Sequence, residues 1–165
     1  MKTIVVPTDF NTETLNIIDA LTLAAPSEPM RIIFIHAFKI SDSITDMLML
    51  KRRSRDYENV SDEFYEKLNE YKAKYTQEIA NLEISYFYGS TTAAFKNFLD
   101  GYEVDFIAYP KNYSFKPLNK FSIDPSYIIS RSGCTVLELD VQEVLSQENL
   151  FETKIPELAY QTVSV

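Results

Sequence analysis

The chain has 165 residues, 24 acidic against 16 basic for a net charge of −8, and holds one cysteine and one histidine. That length suits one domain that buries most of its apolar surface without cross-links, and the single Cys134 and His36 exclude an internal disulfide and a zinc ligand set. The acidic balance argues against a nucleic-acid surface, no apolar run approaches the roughly 20 residues of a membrane helix, and no basic start with a long apolar core suggests a leader, so a cytoplasmic protein is expected.

The first ten residues form an apolar run, Thr3-Ile4-Val5-Val6, that ends in Thr8-Asp9. It reads as a buried parallel strand presenting a carboxylate at its C-terminal end, beside the crevice where open α/β sheets bind ligands. Asn11 or Thr12 then caps a helix with apolar positions Leu15, Ile18, Leu21 and Ala25, which Pro26 and Pro29 stop. Met30 to Phe38 is a second strand, unbroken by charge from Ile32 to Ile35, as expected where both faces are covered.

A helical piece over Ile44 to Leu50 leads into Lys51-Arg52-Arg53-Ser54-Arg55, a basic run that reads as a solvated joint rather than an anion site. From Tyr57 the residues Val60, Phe64, Leu68, Tyr71, Tyr75 and Ile79 keep helical spacing, and Glu63 with Lys67 and Glu70 with Lys74 make favourable pairs. Leu82 to Tyr88 is a third strand closed by Gly89, and Ser90 or Thr91 caps a helix through Ala94, Phe95, Phe98 and Leu99 to Gly101. Val104 to Tyr109 is the fourth strand. The stretch from Lys111 to Ser122 is a loop without period, Asp124-Pro125 opens a helix through Ile128 and Ile129, and Cys134 to Leu139 is the fifth strand.

Strands alternating with helices predict a doubly wound five-stranded parallel sheet with helices on both faces, over residues 1 to 140. Residues 141 to 165 form a C-terminal extension whose apolar positions, Val141, Val144, Leu145 and Ile155 to Tyr160, are expected to dock on this domain or on a partner protomer.

The strand ending in Asp9, the pattern from Gly89 through Ala94 and Phe95 to Asp105-Phe106-Ile107-Ala108, and Cys134-Thr135-Val136-Leu137 together resemble the universal stress protein family over about residues 1 to 140. The resemblance implies an adenine nucleotide alpha hydrolase-like fold, a dimer, and a role in stress adaptation. In such folds the fifth strand often pairs across the two-fold, and Thr135, Val136 and Leu137 suit an edge that wants a partner.

ATP-binding members of that family carry, after the fourth strand, a glycine, two residues, a second glycine, nine residues, then glycine followed by serine or threonine. Here Pro110 stands at the first glycine, Tyr113 at the second, and the third falls near Ser122 or Ile123. Proline lacks an N–H, tyrosine fills space that backbone should occupy, and Asp124 at the helix start puts a negative charge where phosphate would sit. Lys111, Lys116 and Lys120 offer side-chain phosphate contacts instead.

Thr8, Asp9 and Lys111 are thus the candidate residues of a vestigial nucleotide pocket. For Asp9 two readings stay open, an adenosine ligand or a turn residue fixing the start of the first helix. His36, lacking visible partners for general base or metal work, reads as a core or pocket-wall residue, and Cys134 as a buried small hydrophobe. With 3 glycines there is no phosphate-binding glycine loop, and one histidine cannot supply the pair of related nucleotidyl transferases. The expectation is a non-catalytic stress-response regulatory or interaction module without a cofactor. The alternative is an ATP or AMP binder using Asp9 and the loop lysines, with or without slow hydrolysis.

Overall fold

A computed structural model describes residues 1–24, 28–39 and 60–141. Five strands, β1 (Lys2–Pro7), β2 (Met30–Phe38), β3 (Ile79–Tyr88), β4 (Phe106–Pro110) and β5 (Thr135–Leu139), form one sheet in the order β3-β2-β1-β4-β5. Every pairing is parallel, with Val5 beside Ile33 on one side and Ile107 on the other.

Alternation along the central strands splits the core into two layers. Ile4, Val6, Ile32 and Phe34 pack with Leu15, Ile18, Leu21, Phe64 and Leu68 on one face. Val5, Ile33, Ile35 and Ile107 pack with Phe95, Leu99, Ile128 and Ile129 on the other. The first face is covered by a 3-10 turn (Thr12–Asn16) running into α1 (Ile17–Leu23) and by α2 (Asp62–Lys74), the second by α3 (Thr92–Gly101) and α4 (Ser126–Arg131). This is the expected doubly wound sheet. Its winding reverses between β1 and β4, and that switch point opens a crevice at the strands' C-terminal ends.

Several boundaries differ from the sequence reading. The helix expected to run from Tyr57 to Ile79 spans Asp62–Lys74, capped by Ser61 through its hydroxyl at Phe64 N–H, 3.1 Å away. Tyr75 leaves helical geometry at φ −120°, ψ 55°, and Ile79 already begins β3 rather than extending the helix. The strand takes Ile79 because its backbone sits at the sheet edge beside Met30. β4 starts at Phe106 instead of Val104, and β5 at Thr135 instead of Cys134. Thr91, not Ser90, caps α3 by accepting from Ala94 N–H at 3.1 Å. The first helix stops at Leu23 with Ala24 as its C-cap, before the expected Ala25. The expected helical piece at 44–50, the basic run 51–55, Pro26, and the extension beyond Val141 lie outside the described residues.

One buried carboxylate ties the first face together. Asp19, 3% exposed on α1, accepts hydrogen bonds from the Tyr71 hydroxyl (2.9 Å), the Lys74 ammonium (3.0 Å) and the Tyr75 hydroxyl. A buried charge needs such donors, and these three come from the C-terminal end of α2 and the residue after it.

Candidate functional site

The crevice begins where β1 ends. Thr8 still donates its N–H to Ile35 O at 2.8 Å, but Phe10 turns the chain with φ 63°, a left-handed conformation that a bulky side chain adopts only under constraint. Local side chains use the amides this turn exposes. Thr8 Oγ1 accepts from Phe10 N–H (2.9 Å), Asp9 Oδ1 from Asn11 N–H (3.1 Å), and Asn11 Oδ1 from Glu13 N–H (3.1 Å). The Phe10, Asn11 and Glu13 N–H groups at this helix start are therefore already bonded within the turn.

The opposite wall is the loop that leaves β4 at Pro110. Tyr113 N–H closes a turn onto Pro110 O at 3.0 Å, and the chain then folds back across the C-terminal end of β2. Lys39 N–H donates to Phe121 O (2.8 Å), Ile123 N–H donates to Ala37 O (3.0 Å), and Phe38 and Ser122 form an antiparallel bridge. His36 fastens the centre of this loop. Its Nδ1 lies 2.8 Å from the Thr8 carbonyl, an acceptor only, so Nδ1 carries the hydrogen. Nε2 lies 2.8 Å from Ser122 Oγ, which also accepts from Leu118 N–H (2.9 Å) and Asn119 N–H (3.3 Å), leaving the Ser122 hydroxyl to donate to the ring.

Phe115 lies nearly parallel to the His36 ring, 6.3 Å away and tilted by 20°. Between Thr8, His36, Tyr113, Phe115, Ile123 and Pro125 the space left is too narrow to admit a water molecule. The loop itself fills the inner part of the crevice.

The far end of the loop carries an acid, Asp124, which stands one residue before the cap rather than at it, because Pro125 takes the N-cap position and the helix starts at Ser126. Asp124 Oδ1 accepts from Ser126 N–H (3.0 Å) and Ser126 Oγ (2.6 Å) at the start of α4, which begins directly after Pro125. Burial pushes the Tyr113 phenol well above its ordinary range, and the negative charges of Asp124 and Asp9 add to the effect.

Of the three residues proposed from sequence, the structure brings one to an open cleft. Asp9 lines a cavity of about 330 Å³ at the outer part of the crevice, with Asn11, Glu13, Pro110, Tyr113 and Lys116 among its walls. Thr8 is 2% exposed and its hydroxyl is spent within the turn, donating to Thr14 Oγ1 at 3.1 Å. Lys111 is exposed and does not line the cleft; its N–H donates to Leu139 O at 3.0 Å. Lys116, rather than Lys111, is the lysine beside Asp9. Phe115 and Ser122, the residues that plug and pin the loop, escaped the sequence reading; an aromatic residue stranded in a polar loop was the one available signal.

Cys134 is half-buried rather than fully buried, with its thiol 3.7 Å from Asp105 O, and burial followed by the charge of Asp105 raises its pKa. A raised thiol pKa disfavours the reactive thiolate. Among the described residues no group of three or more His, Cys, Asp or Glu is placed to hold a metal, and no helix is long and apolar enough to cross a membrane.

No family model matches the sequence, and no curated protein matches it. Solved structures do share its fold. Hypothetical protein PH0823 is 17% identical at a TM-score of 0.50, over 84% of this chain and 95% of that one. Universal stress protein UspA from Lactobacillus plantarum is 16% identical at a TM-score of 0.49, over 84% and 97%. The universal stress protein from Archaeoglobus fulgidus, solved in complex with dAMP, is 14% identical at 0.46, over 85% and 98%. At such identities the likeness concerns architecture. The chain has a doubly wound α/β fold, an architecture it shares with PH0823.

Proposed function

We propose that this chain is a divergent universal stress protein that acts as a non-catalytic regulatory or interaction module in stress adaptation and does not bind ATP in the usual mode. The observation that carries this reading is the occupied crevice, where Phe115 stacks against His36 and leaves no room for a water molecule. Electrostatics supports it. Asn11 caps the helix start after β1, Asp124 accepts from Ser126 N–H at the start of α4, Asp9 and Glu13 line the outer crevice with negative charge, and the charge of Asp124 reaches Tyr113 in its wall. A triphosphate would meet bonded amides and like charges.

The homodimer expected through β5 and a cytoplasmic location belong to this proposal. β5 is one of the sheet's two outer strands, and Thr135 and Glu138 on it are exposed.

A second reading keeps one supporting observation, the open cleft in which Lys116 stands with Asp9. In that reading ATP or AMP sits in the outer crevice. Calorimetric titration of the purified protein with Mg·ATP separates the two. The module reading expects no saturable heat. Micromolar binding weakened by Asp9→Ala would replace it with the nucleotide reading.

A further inference from the structure

The outer cleft has walls of opposite charge. Asp9 and Glu13 come from the turn after β1, and Lys116 comes from the loop after β4, across a space of about 330 Å³. The volume falls in the lower part of the range of small-molecule sites, and the position, at the switch point of the sheet, is where such sites concentrate.

Several groups on these walls have bonding capacity left. Asp9 uses Oδ1 for the Asn11 amide, which leaves Oδ2. Glu13 and Lys116 are exposed, and Asn112 supplies an exposed amide. Tyr113 and Val141, both partly buried, add apolar surface to the same space.

Charge sorts the ligands such a cleft accepts. A phosphate gains Lys116 but meets two carboxylates. A simple cation gains the carboxylates but meets the lysine. A ligand carrying both charges a few bonds apart satisfies both walls at once.

We infer that the outer cleft is a binding site for a small zwitterion of the amino-acid kind, its ammonium held by Asp9 and Glu13, its carboxylate by Lys116, and its side chain against Tyr113 and Val141. This goes beyond the module reading, giving that module a small-molecule input at the ancestral crevice.

The test is an amide NMR titration of the full-length protein with L-leucine, L-glutamine and L-arginine, each alone. Two truncated probes accompany leucine: 3-methylbutylamine, which lacks the carboxylate, and 4-methylpentanoate, which lacks the ammonium. At least one amino acid is expected to give saturable shifts centred on Asp9, Glu13, Tyr113 and Lys116. If it is leucine, both truncated probes bind about tenfold or more weakly, the usual loss when a charged hydrogen bond is removed. Glu13→Gln and Lys116→Gln, at exposed positions that leave the fold intact, weaken the same ligand by about tenfold.

Absence of saturable shifts with all three amino acids, shifts centred elsewhere, or indifference to both variants overturns the assignment. Mg·ATP in a parallel titration bears on the other reading alone: saturation by ATP defeats the module proposal, whereas silence of the amino acids defeats only this one.

Discussion

His36 Nε2 and Ser122 Oγ lie 2.8 Å apart although 86 positions separate them in sequence. This bond fastens the loop after β4 to the end of β2. It holds because one hydroxyl serves three partners, His36, Leu118 N–H and Asn119 N–H.

Ser122→Ala therefore strips the loop of its central pin. The expected loss is about 1–2 kcal/mol, since two amides and a ring nitrogen lose a partly buried partner. Urea unfolding measures it, and hydrogen exchange should quicken at Leu118 and Asn119 more than in β1. An unchanged midpoint with unchanged exchange would contradict the role given to Ser122.

Phe10 sits at φ 63° while remaining 6% exposed, with its ring edge-on to Phe64 at 5.6 Å. Both Phe10→Ala and Phe10→Gly lose that packing, but only glycine relieves the backbone. Glycine should be the more stable variant by about 1 kcal/mol, the reverse of the usual order. Thermal unfolding of the pair decides it, and alanine at or above glycine would remove the strain from the account.

Asp19 is the most heavily bonded buried charge among the described residues. Asp19→Ala takes from Tyr71, Lys74 and Tyr75 their shared acceptor, although Tyr71 keeps its 3.2 Å bond to Asn16 Oδ1, and opens a gap between α1 and α2, at a cost of about 3 kcal/mol. Lys74→Ala should cost no more than about 1 kcal/mol, because its ammonium is half-exposed and both hydroxyls stay on the carboxylate. Equal losses in the two variants would contradict this division.

The phenols of Tyr113 and Tyr75 are both raised, first by burial, then by Asp124 and Asp9 for Tyr113 and by the bond to Asp19 for Tyr75. A group whose folded pKa is raised lends stability that is fully present below its unfolded value, about 10 for tyrosine, and is lost as the pH climbs through the folded value. Stability should thus hold through neutral pH and fall above about pH 10. Absorbance titration at alkaline pH should show a late-ionising fraction that shrinks in Tyr113→Phe. Ionisation of all tyrosines in one early step would refute it.

The parts of this fold that local chemistry dictates were readable from the residues. β2 runs over Met30–Phe38, as its uncharged core suggests, and Asn11 and Thr91 cap the helices that follow them. Ile79 misled because it lies four residues after Tyr75, continuing the apolar stripe of α2, while tertiary pairing with Met30 claims it for the sheet. The site was legible only in its first half. Asp9 is marked by the strand that carries it, and Pro110 and Tyr113 show that phosphate-binding backbone is missing. What replaces it depends on Phe115, Lys116 and Ser122 meeting residues from β1 and β2, and an aperiodic loop carries no sign of such distant contacts.

In the proposed reading the loop after β4 stands in the place of the nucleotide. Calorimetric titration of the wild-type protein with Mg·ATP tests it most directly. The account predicts no saturable binding. Micromolar binding that Asp9→Ala weakens would contradict it.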